Sequence, residues 1–240
     1  MPQTVKKSRV TVTLAVIVLS AAAIAVETWL WSSRKYYLTS VIIILLAMLP
    51  FFARFEVRRP QVSEIVLLAV MTAFAVAGRV AFYWAPQFKP VCAIVILTAV
   101  AFNAEAGFIT GAAAGLISNM FFGQGPWTPW QMFGFGLVGF FAGILSRDRE
   151  VKTAPLLIYG FFSVLIIYGV LLDTGSLLMY SQEMSWKALL AMYASGFTFN
   201  LIHASGTVVF LLLLQKPVLS KLRRIKIKYG MLQSVSYTHL

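Results

Sequence analysis

Long apolar stretches separated by short polar or basic groups organise this chain of 240 residues. A helix that crosses the lipid needs about 20 predominantly apolar residues, and most of the stretches approach that length. They cover residues 10–31, 37–53, 62–84, 89–103, 105–122, 129–146, 154–172 and 187–215. The pattern predicts an all-α integral membrane protein with eight spans. The short segment 89–103 is expected to dock within the bundle, and the long segment 187–215 to be tilted or to begin outside the lipid.

Pro60 divides the predicted spans into two groups. We predict an N-terminal transmembrane hairpin over residues 1–59, a six-helix bundle over 60–220 and a basic cytoplasmic tail over 221–240. Segment 234–240 lacks both the basic character and the apolar period of the preceding residues. We interpret it as a scar that is foreign to the fold.

Prolines mark the ends of several predicted helices. A proline at the first positions of a helix costs little, because the N–H that it lacks has no partner there. Pro90, Pro129 and Pro155 lie at such starts. Pro217 is expected to end the last span.

Glycines recur at helical spacing on two consecutive segments. Gly107, Gly111 and Gly115 are four residues apart, so on a helix they form one smooth strip. Gly139 and Gly143 repeat this spacing on the next segment. Small residues let helix backbones approach closely in lipid, so each strip is expected to pack against a neighbouring helix.

The loop between these segments, residues 121–131, carries no charge. Its glycines and prolines favour a turn, and its Trp and Gln side chains offer aromatic stacking and amide hydrogen bonds. We expect the loop to form a lid and part of a ligand pocket, with five side chains as candidates: Asn119, Gln124, Trp127, Trp130 and Gln131. The alternative for the Trp pair is an aromatic belt at the membrane interface, where Trp is enriched.

The composition excludes a soluble globular domain. Hydrophobic residues make up 60% of the chain and charged residues 12%, whereas soluble domains usually carry about 25% charged residues. The net charge is +12, but the basic residues occur in short runs beside apolar spans, where lipid headgroups and membrane topology explain them. We therefore expect contact with membrane lipid and no binding of nucleic acid.

The four basic runs all fall on one predicted side of the membrane. They lie at 6–9, 54–59, 147–152 and 216–228. Lys and Arg are enriched in cytoplasmic loops, so this one-sided distribution predicts that both termini are cytoplasmic. Three loops are then extracellular and are expected to meet over one pocket. They lie near 84–89, 121–131 and 173–187.

Arg79 is a charged side chain inside a predicted span, in the outer third of 62–84. A cation at that depth is costly unless it faces protein, water or a ligand, so Arg79 is a candidate ligand contact. Two structural roles are the alternatives. The side chain could extend to the outer headgroups, or it could form an ion pair with Asp173 or Glu183.

The last span carries a polar stripe at steps of three and four residues, which places it on one helical face. The stripe consists of Tyr193, Gly196, Asn200, His203 and Thr207. Such a face is expected to point into the bundle. Asn200 and His203 are candidates to hydrogen-bond a ligand beside Arg79, and hydrogen bonding between helices is the alternative. A proton relay would need an acid at membrane depth, and the acids fall at or near segment ends.

Enzyme motifs are absent from the sequence. It contains no H-E-x-x-H pair, no G-x-S-x-G elbow and no Gly-x4-Gly-Lys-Ser/Thr phosphate loop. The two histidines, His203 and His239, cannot form a multi-histidine metal site, and the single Cys92 excludes a disulfide framework. We expect no enzyme, no metal site and no cofactor. An ATP-driven motor would have to be a partner.

Three features together resemble the substrate-binding S component of an energy-coupling factor (ECF) vitamin transporter. They are the six core spans, the strip Ala69, Ala73 and Ala77 in the first of them, and the run GFITGAAAGLISNMFFGQGPWTPWQM. The resemblance covers about 62–220. The loop motif is fairly specific, whereas Ala-x-x-x-Ala alone is weak.

The resemblance implies a helical bundle in the bacterial cytoplasmic membrane that captures a vitamin from outside. It also implies docking on a transmembrane coupling protein that carries two cytoplasmic ABC ATPases. The alanine strip would face that coupling protein, and Arg79 lies about 120° away around the helix. The strip's spacing alone is as consistent with packing inside the bundle. The N-terminal hairpin departs from the usual six-span pattern.

The expected substrate also comes from the resemblance. Within the family, the Trp-rich loop most resembles a branch linked to cobalamin uptake. Its uncharged Asn, Gln and Trp groups suit the amide-fringed face of a corrinoid, and Arg79 would suit its phosphate. The same groups suit a pterin, a flavin or a deazapurine almost as well.

Two other classes of function remain as alternatives. An integral-membrane enzyme acting on lipid or isoprenoid substrates would use Asp148 or Glu150 at the inner interface as acid or base. The sequence lacks the paired-carboxylate or metal motif that such an enzyme would need. A standalone secondary carrier would need an ion-coupling site, and we find none.

Overall fold

The computed structural model describes residues 36–147, 151–180 and 185–229, and the regular secondary structure in these ranges is helical. The helices are α1 (Tyr36–Val57), α2 (Val62–Ala81), α3 (Val91–Ala101), α4 (Ala104–Phe122), α5 (Thr128–Leu145), α6 (Thr153–Tyr180) and α7 (Trp186–Lys228). Five of them, α1, α2, α5, α6 and α7, are long and apolar enough to cross a membrane. The prediction of an all-α protein with several membrane-spanning helices is therefore confirmed.

Some predictions fall on parts of the chain outside the described residues. These are the first span at 10–31 and the scar at 234–240. The total of eight spans and the cytoplasmic location of both termini therefore stay predictions.

The short helix α3 lies at the centre of the bundle. Residues 91–99 are each no more than 1% exposed, as expected for a helix that is apolar on every face. It contacts α2, α4, α5 and α7, which confirms that segment 89–103 docks within the bundle. Cys92 lies here as a fully buried free thiol. Asn103 begins the next helix, because its side-chain oxygen accepts a hydrogen bond from the Ala106 N–H at 2.9 Å.

The glycine strips bring α4 and α5 into backbone contact. A Cβ added at Gly107 would lie 2.7 Å from the carbonyl oxygen of Gly139, and one added at Gly111 would collide with the Phe135 carbonyl. At Gly115 the added Cβ would lie 3.1 Å from the Cα of Met132. The predicted packing of one strip against a neighbouring helix is confirmed, and the neighbour is the next helix in the chain.

Helix α6 continues beyond its predicted end. Segment 154–172 was expected to end before a loop at 173–187, and this is wrong because α6 runs to Tyr180. The polar residues that suggested a loop have partners on α7: Asp173 bonds to Asn200, and Thr174 to Tyr193. A π-helical turn, Ser163–Tyr168, interrupts α6. Such turns insert an extra residue and change which side chains face inward.

Helix α7 is 43 residues long, which corresponds to about 65 Å. The prediction that Pro217 ends this helix is wrong, since Pro217 lies inside it. The turns after the proline are held against the bundle: Leu222 is 4% exposed, and Lys226 Nζ donates to the Ala101 carbonyl. These contacts outweigh the loss of one backbone hydrogen bond at the proline.

Helix α1, the second helix of the predicted hairpin, packs on α4 and α5. Phe51 stacks on Phe108 with ring centroids 4.0 Å apart and meets Phe140 edge-on. Arg54 forms an ion pair with Glu105 at the start of α4. These contacts join α1 to the bundle. Helix α1 does not line the cavity described below, which is formed by later helices.

Candidate functional site

A cavity of about 460 Å³ lies at one end of the bundle. It is bordered by the C-terminal ends of α2 and α4, the starts of α3 and α5, the second half of α6, the first half of α7 and the loop 82–90. Four of the predicted site residues line it: Arg79, Gln131, Asn200 and His203. Aromatic side chains supply much of the remaining wall: Tyr83, Phe122, Phe135, Tyr168 and Phe199. Polar groups on an aromatic wall are typical of a small-molecule site.

Arg79 is 8% exposed and is held by side chains of α4. Its Nη1 donates to Asn119 Oδ1 at 2.9 Å and to the Ser118 hydroxyl. The guanidinium carbon lies 4.6 Å from the centroid of the Phe122 ring, within the range of a cation–π contact. Arg79 therefore does not extend to the headgroups, and it is not bonded to Asp173. The other proposed ion-pair partner, Glu183, lies outside the described residues.

Asn119 connects Arg79 to the loop that joins α4 and α5. Its Oδ1 accepts from Arg79, while its Nδ2 donates to Gln131 Oε1 at 2.8 Å and to the Thr128 hydroxyl at 3.0 Å. The side chain is 1% exposed and stands behind the cavity wall. Its contact with ligand stays a prediction, and its observed contacts fix Arg79 and Gln131 relative to each other.

Gln124 closes the loop on itself. Its Nε2 donates to the Leu116 carbonyl at 2.9 Å, and its Oε1 accepts from the Thr128 hydroxyl at 2.9 Å. The turn begins at Gly123, whose φ of 97° favours glycine. Gln124 does not line the cavity. Its role in binding stays a prediction.

The two predicted tryptophans also lie outside the cavity lining. Trp127 folds over Gly125, where an added Cβ would collide with the indole ring. Trp130 is 5% exposed and packs on Gly175 of α6. They anchor the loop to itself and to α6. Direct contact of either ring with a ligand stays a prediction.

Asp173 on α6 and Asn200 on α7 also line the cavity and are bonded to each other. Asn200 Nδ2 donates to Asp173 Oδ2 at 2.8 Å, and Gly196 leaves room for the carboxylate, since an added Cβ would collide with it. The predicted inward orientation of the polar stripe on α7 is thus confirmed. The expectation that acids fall at segment ends is wrong for Asp173, because it lies within α6.

His203 is 3% exposed, and both ring nitrogens are buried without a hydrogen-bond partner among the described residues. Its ring meets the rings of Tyr168 and Phe135 edge-on, with centroids 5.0 and 6.2 Å away. Buried polar atoms in proteins nearly always have a partner, and leaving one unpaired costs about 1–3 kcal/mol. The imidazole is therefore free to bond to a ligand in the cavity.

Lys89 was not among the predicted site residues, because a lysine in an outer loop was attributed to topology. Its Nζ donates to the carbonyls of Phe82 at 3.3 Å and Ala85 at 3.1 Å, and lies 5.3 Å from the centroid of the Phe122 ring. Partial burial and the nearby Arg79 charge lower the pKa of Lys89. No motif in the sequence distinguishes this lysine from the other loop lysines.

A separate apolar groove of about 590 Å³ runs along the outer face of α2. Ala69, Ala73 and Ala77 are exposed on its floor. Side chains from α4 and Phe55 from α1 form its sides. The strip therefore lies on the surface of the described bundle and on a different face of α2 from Arg79.

Comparison with known proteins gives a family match and one distant relative. Residues 60–218 match the model of the family described as ECF-type riboflavin transporter, S component. A UPF0397 protein from Vibrio atlanticus (strain LGP32) is 27% identical over 123 residues, which cover 48% of this chain and 67% of that protein. No solved structure matches the chain significantly. The family match contains α2 to α6 and most of α7, and so includes every element that lines the cavity.

Proposed function

The chain belongs to the family of S components of ECF-type riboflavin transporters, and on that premise we propose that it captures a vitamin-like molecule from outside the cell in the cavity at Arg79. A transmembrane ECF coupling protein and two ABC ATPases would then drive its transport. Membership of the family makes the chain a multi-pass membrane protein of vitamin uptake. The substrate and the partners belong to the proposal.

The cavity is the observation that carries this proposal. It combines aromatic walls with a buried guanidinium at Arg79, an amide at Asn200 and an unpaired imidazole at His203. A few polar groups placed on an otherwise apolar surface fix the orientation of a small ligand and provide specificity.

The size of the cavity bears on the choice of substrate. Its 460 Å³ lies in the lower part of the range of small-molecule pockets, roughly 300–1,000 Å³. A flavin, a pterin or a deazapurine has a ring system that suits this volume, whereas a corrinoid is several times larger. We therefore put riboflavin-sized molecules ahead of cobalamin, whose uptake stays a prediction from the Trp-rich loop.

The groove on α2 supports docking of a partner. Helices associate in lipid mainly through close packing, and small residues favour it. Ala69, Ala73 and Ala77 present such a surface away from the cavity, so one face of the bundle can bind the coupling protein while its outer end holds the substrate. The alternative of a lipid-modifying enzyme gains no support, and Asp148 and Glu150 lie outside the described residues.

Purification from the native host in mild detergent tests the proposal. ATPase subunits and a larger membrane protein should copurify with the tagged chain. Proteoliposomes of that complex should accumulate at least one labelled vitamin, from a panel of riboflavin, its phosphate ester and cobalamin, only when ATP is present on the ATPase side. Accumulation that follows an ion gradient without ATP would identify a secondary carrier and contradict the proposal.

A further inference from the structure

Two cationic side chains meet at one aromatic ring in the cavity. The guanidinium of Arg79 and the ammonium of Lys89 lie 4.6 and 5.3 Å from the centroid of the Phe122 ring. Neither is a free surface charge, because Arg79 is 8% exposed and Lys89 is partly buried by the loop 82–90. Like charges held together with reduced hydration repel each other.

No carboxylate in the described part of the chain forms an ion pair with Arg79 or Lys89. The ion pairs found there, Arg54 with Glu105 and Arg58 with Glu64, involve other residues. The carboxylate that lines the cavity belongs to Asp173, and it accepts a hydrogen bond from Asn200. Phe122 offers the two cations only the weak attraction of an aromatic ring.

Both cations also keep donors available. Among the described residues Arg79 is bonded through Nη1 alone, which leaves Nε and Nη2 without a partner. Lys89 donates to two carbonyls and retains one further donor, since an ammonium has three. Planar donors of arginine match the two oxygens of a carboxylate or phosphate, and a nearby ammonium adds a point charge.

We propose that the ligand of this cavity carries a carboxylate or phosphate group, which binds between Arg79 and Lys89 beside the Phe122 ring. The inference rests on the proposed function, because it takes the cavity to be the substrate site. The anion neutralises the two cations and uses their remaining donors. His203 provides a hydrogen bond to an uncharged part of the same ligand. The substrate is thereby a vitamin-sized molecule that carries an acidic group, and the inference excludes unmodified riboflavin, which is neutral.

The test measures thermal unfolding of the purified full chain in detergent while chloride is replaced by phosphate or by acetate at constant ionic strength. A ligand that binds only the folded protein raises Tm. We expect a rise of about 2–4 °C with at least one of the two anions. The Lys89→Gln and Arg79→Gln variants should lose this rise. Lys89→Gln is the safer variant, because Arg79 also bonds to buried side chains of α4.

Lys187→Gln is the matched control. It removes the same charge from an exposed lysine at the start of α7 that does not line the cavity, so it should keep the full rise in Tm. A wild-type Tm that is indifferent to both anions overturns the proposal, as does a rise that persists in Lys89→Gln. A rise that is produced by short-chain phosphatidylglycerol alone identifies a lipid headgroup as the anion and also overturns it.

Failure of this inference is distinguishable from failure of the proposed function. ATPase subunits that copurify with a chain insensitive to anions would leave the transport role intact and exclude an anionic substrate. Anion binding by a chain that copurifies with no ATPase would support an anionic ligand and contradict the proposed transport role.

Discussion

The two ring nitrogens of His203 determine what a substitution at this position should do. Phenylalanine has nearly the same shape and no polar atom, so His203→Phe removes a buried unpaired group. We expect the free energy of unfolding of the ligand-free protein to rise by about 1 kcal/mol. The affinity for the transported vitamin should fall by roughly threefold to tenfold, because a hydrogen bond to the ligand is lost.

Thermal unfolding and calorimetry on the same preparation check both effects. His203→Gln serves as the control, since its amide can still donate and accept and should retain part of the affinity. Lower stability combined with unchanged affinity would mean that the imidazole has a structural role in the core.

The sequence identified some site residues because their type conflicts with their location. Arg79 lies in an apolar span, and Asn200 and His203 lie on a polar stripe of another span. Polar groups at membrane depth are costly unless they have a partner, so the sequence alone marks these residues as candidates for binding. Lys89 offers no such conflict, because a lysine in a loop is ordinary. Its approach to Phe122 depends on the fold of 82–90, where Gln87 adopts a left-handed φ of 58°.

Among the helices, the contact between α4 and α5 is the most sensitive to a small change. Gly111→Ala places a methyl group against the Phe135 carbonyl and should destabilise the protein by about 1–3 kcal/mol. Gly115→Ala should cost less, because its added Cβ lies 3.1 Å from Met132. Thermal unfolding in detergent should give the highest Tm for the wild type, a lower one for Gly115→Ala and the lowest for Gly111→Ala. The reverse order would contradict the backbone contact at Gly111.

The outer face of α2 allows docking to be separated from binding. Ala73→Trp fills the groove with an indole ring and should abolish ATP-dependent uptake, while calorimetry on the purified protein gives an affinity within about twofold of the wild type. Val70→Trp is the matched control, because Val70 is 55% exposed on the same helix and does not line the groove. Equal loss of uptake in both variants would show that any bulky residue on α2 is harmful. Normal uptake in Ala73→Trp would exclude the groove as the docking surface.

The lengths of the apolar segments and the positions of the prolines predicted where the helices lie, but they predicted two helix ends wrongly. The segment Asp173 to Ser176 looks like a loop in isolation, and only the partners supplied by α7 make it helical. Pro217 likewise looks like the end of a helix. The helix continues beyond it, where Leu222 is buried against the bundle. The π-helical turn Ser163–Tyr168 has no local signature in the sequence. In each case a contact between distant residues overrides the local preference.

Over the whole molecule, the cavity and the groove occupy different surfaces of one bundle, and α2 contributes to both. Arg79 faces the cavity near the end of this helix, and the alanine strip faces outward along its length. The sequence predicted these two faces from helical spacing, since the two sets of residues lie about 120° apart. It did not reveal that α1 would reach the groove, because Phe55 belongs to the hairpin outside the six-span pattern.

The complete burial of Cys92 makes this chain suitable for site-specific labelling at introduced cysteines. It contains one cysteine, and that thiol is 0% exposed within α3, so a membrane-impermeant maleimide should leave the unmodified protein unlabelled in intact cells. A cysteine placed at Lys187 should then react from outside, and one placed at Lys221 only after the membrane is permeabilised. That result would establish the direction of α7 without first removing a native thiol. Labelling of Lys221→Cys in intact cells would instead put the basic end of α7 outside and reverse the predicted topology.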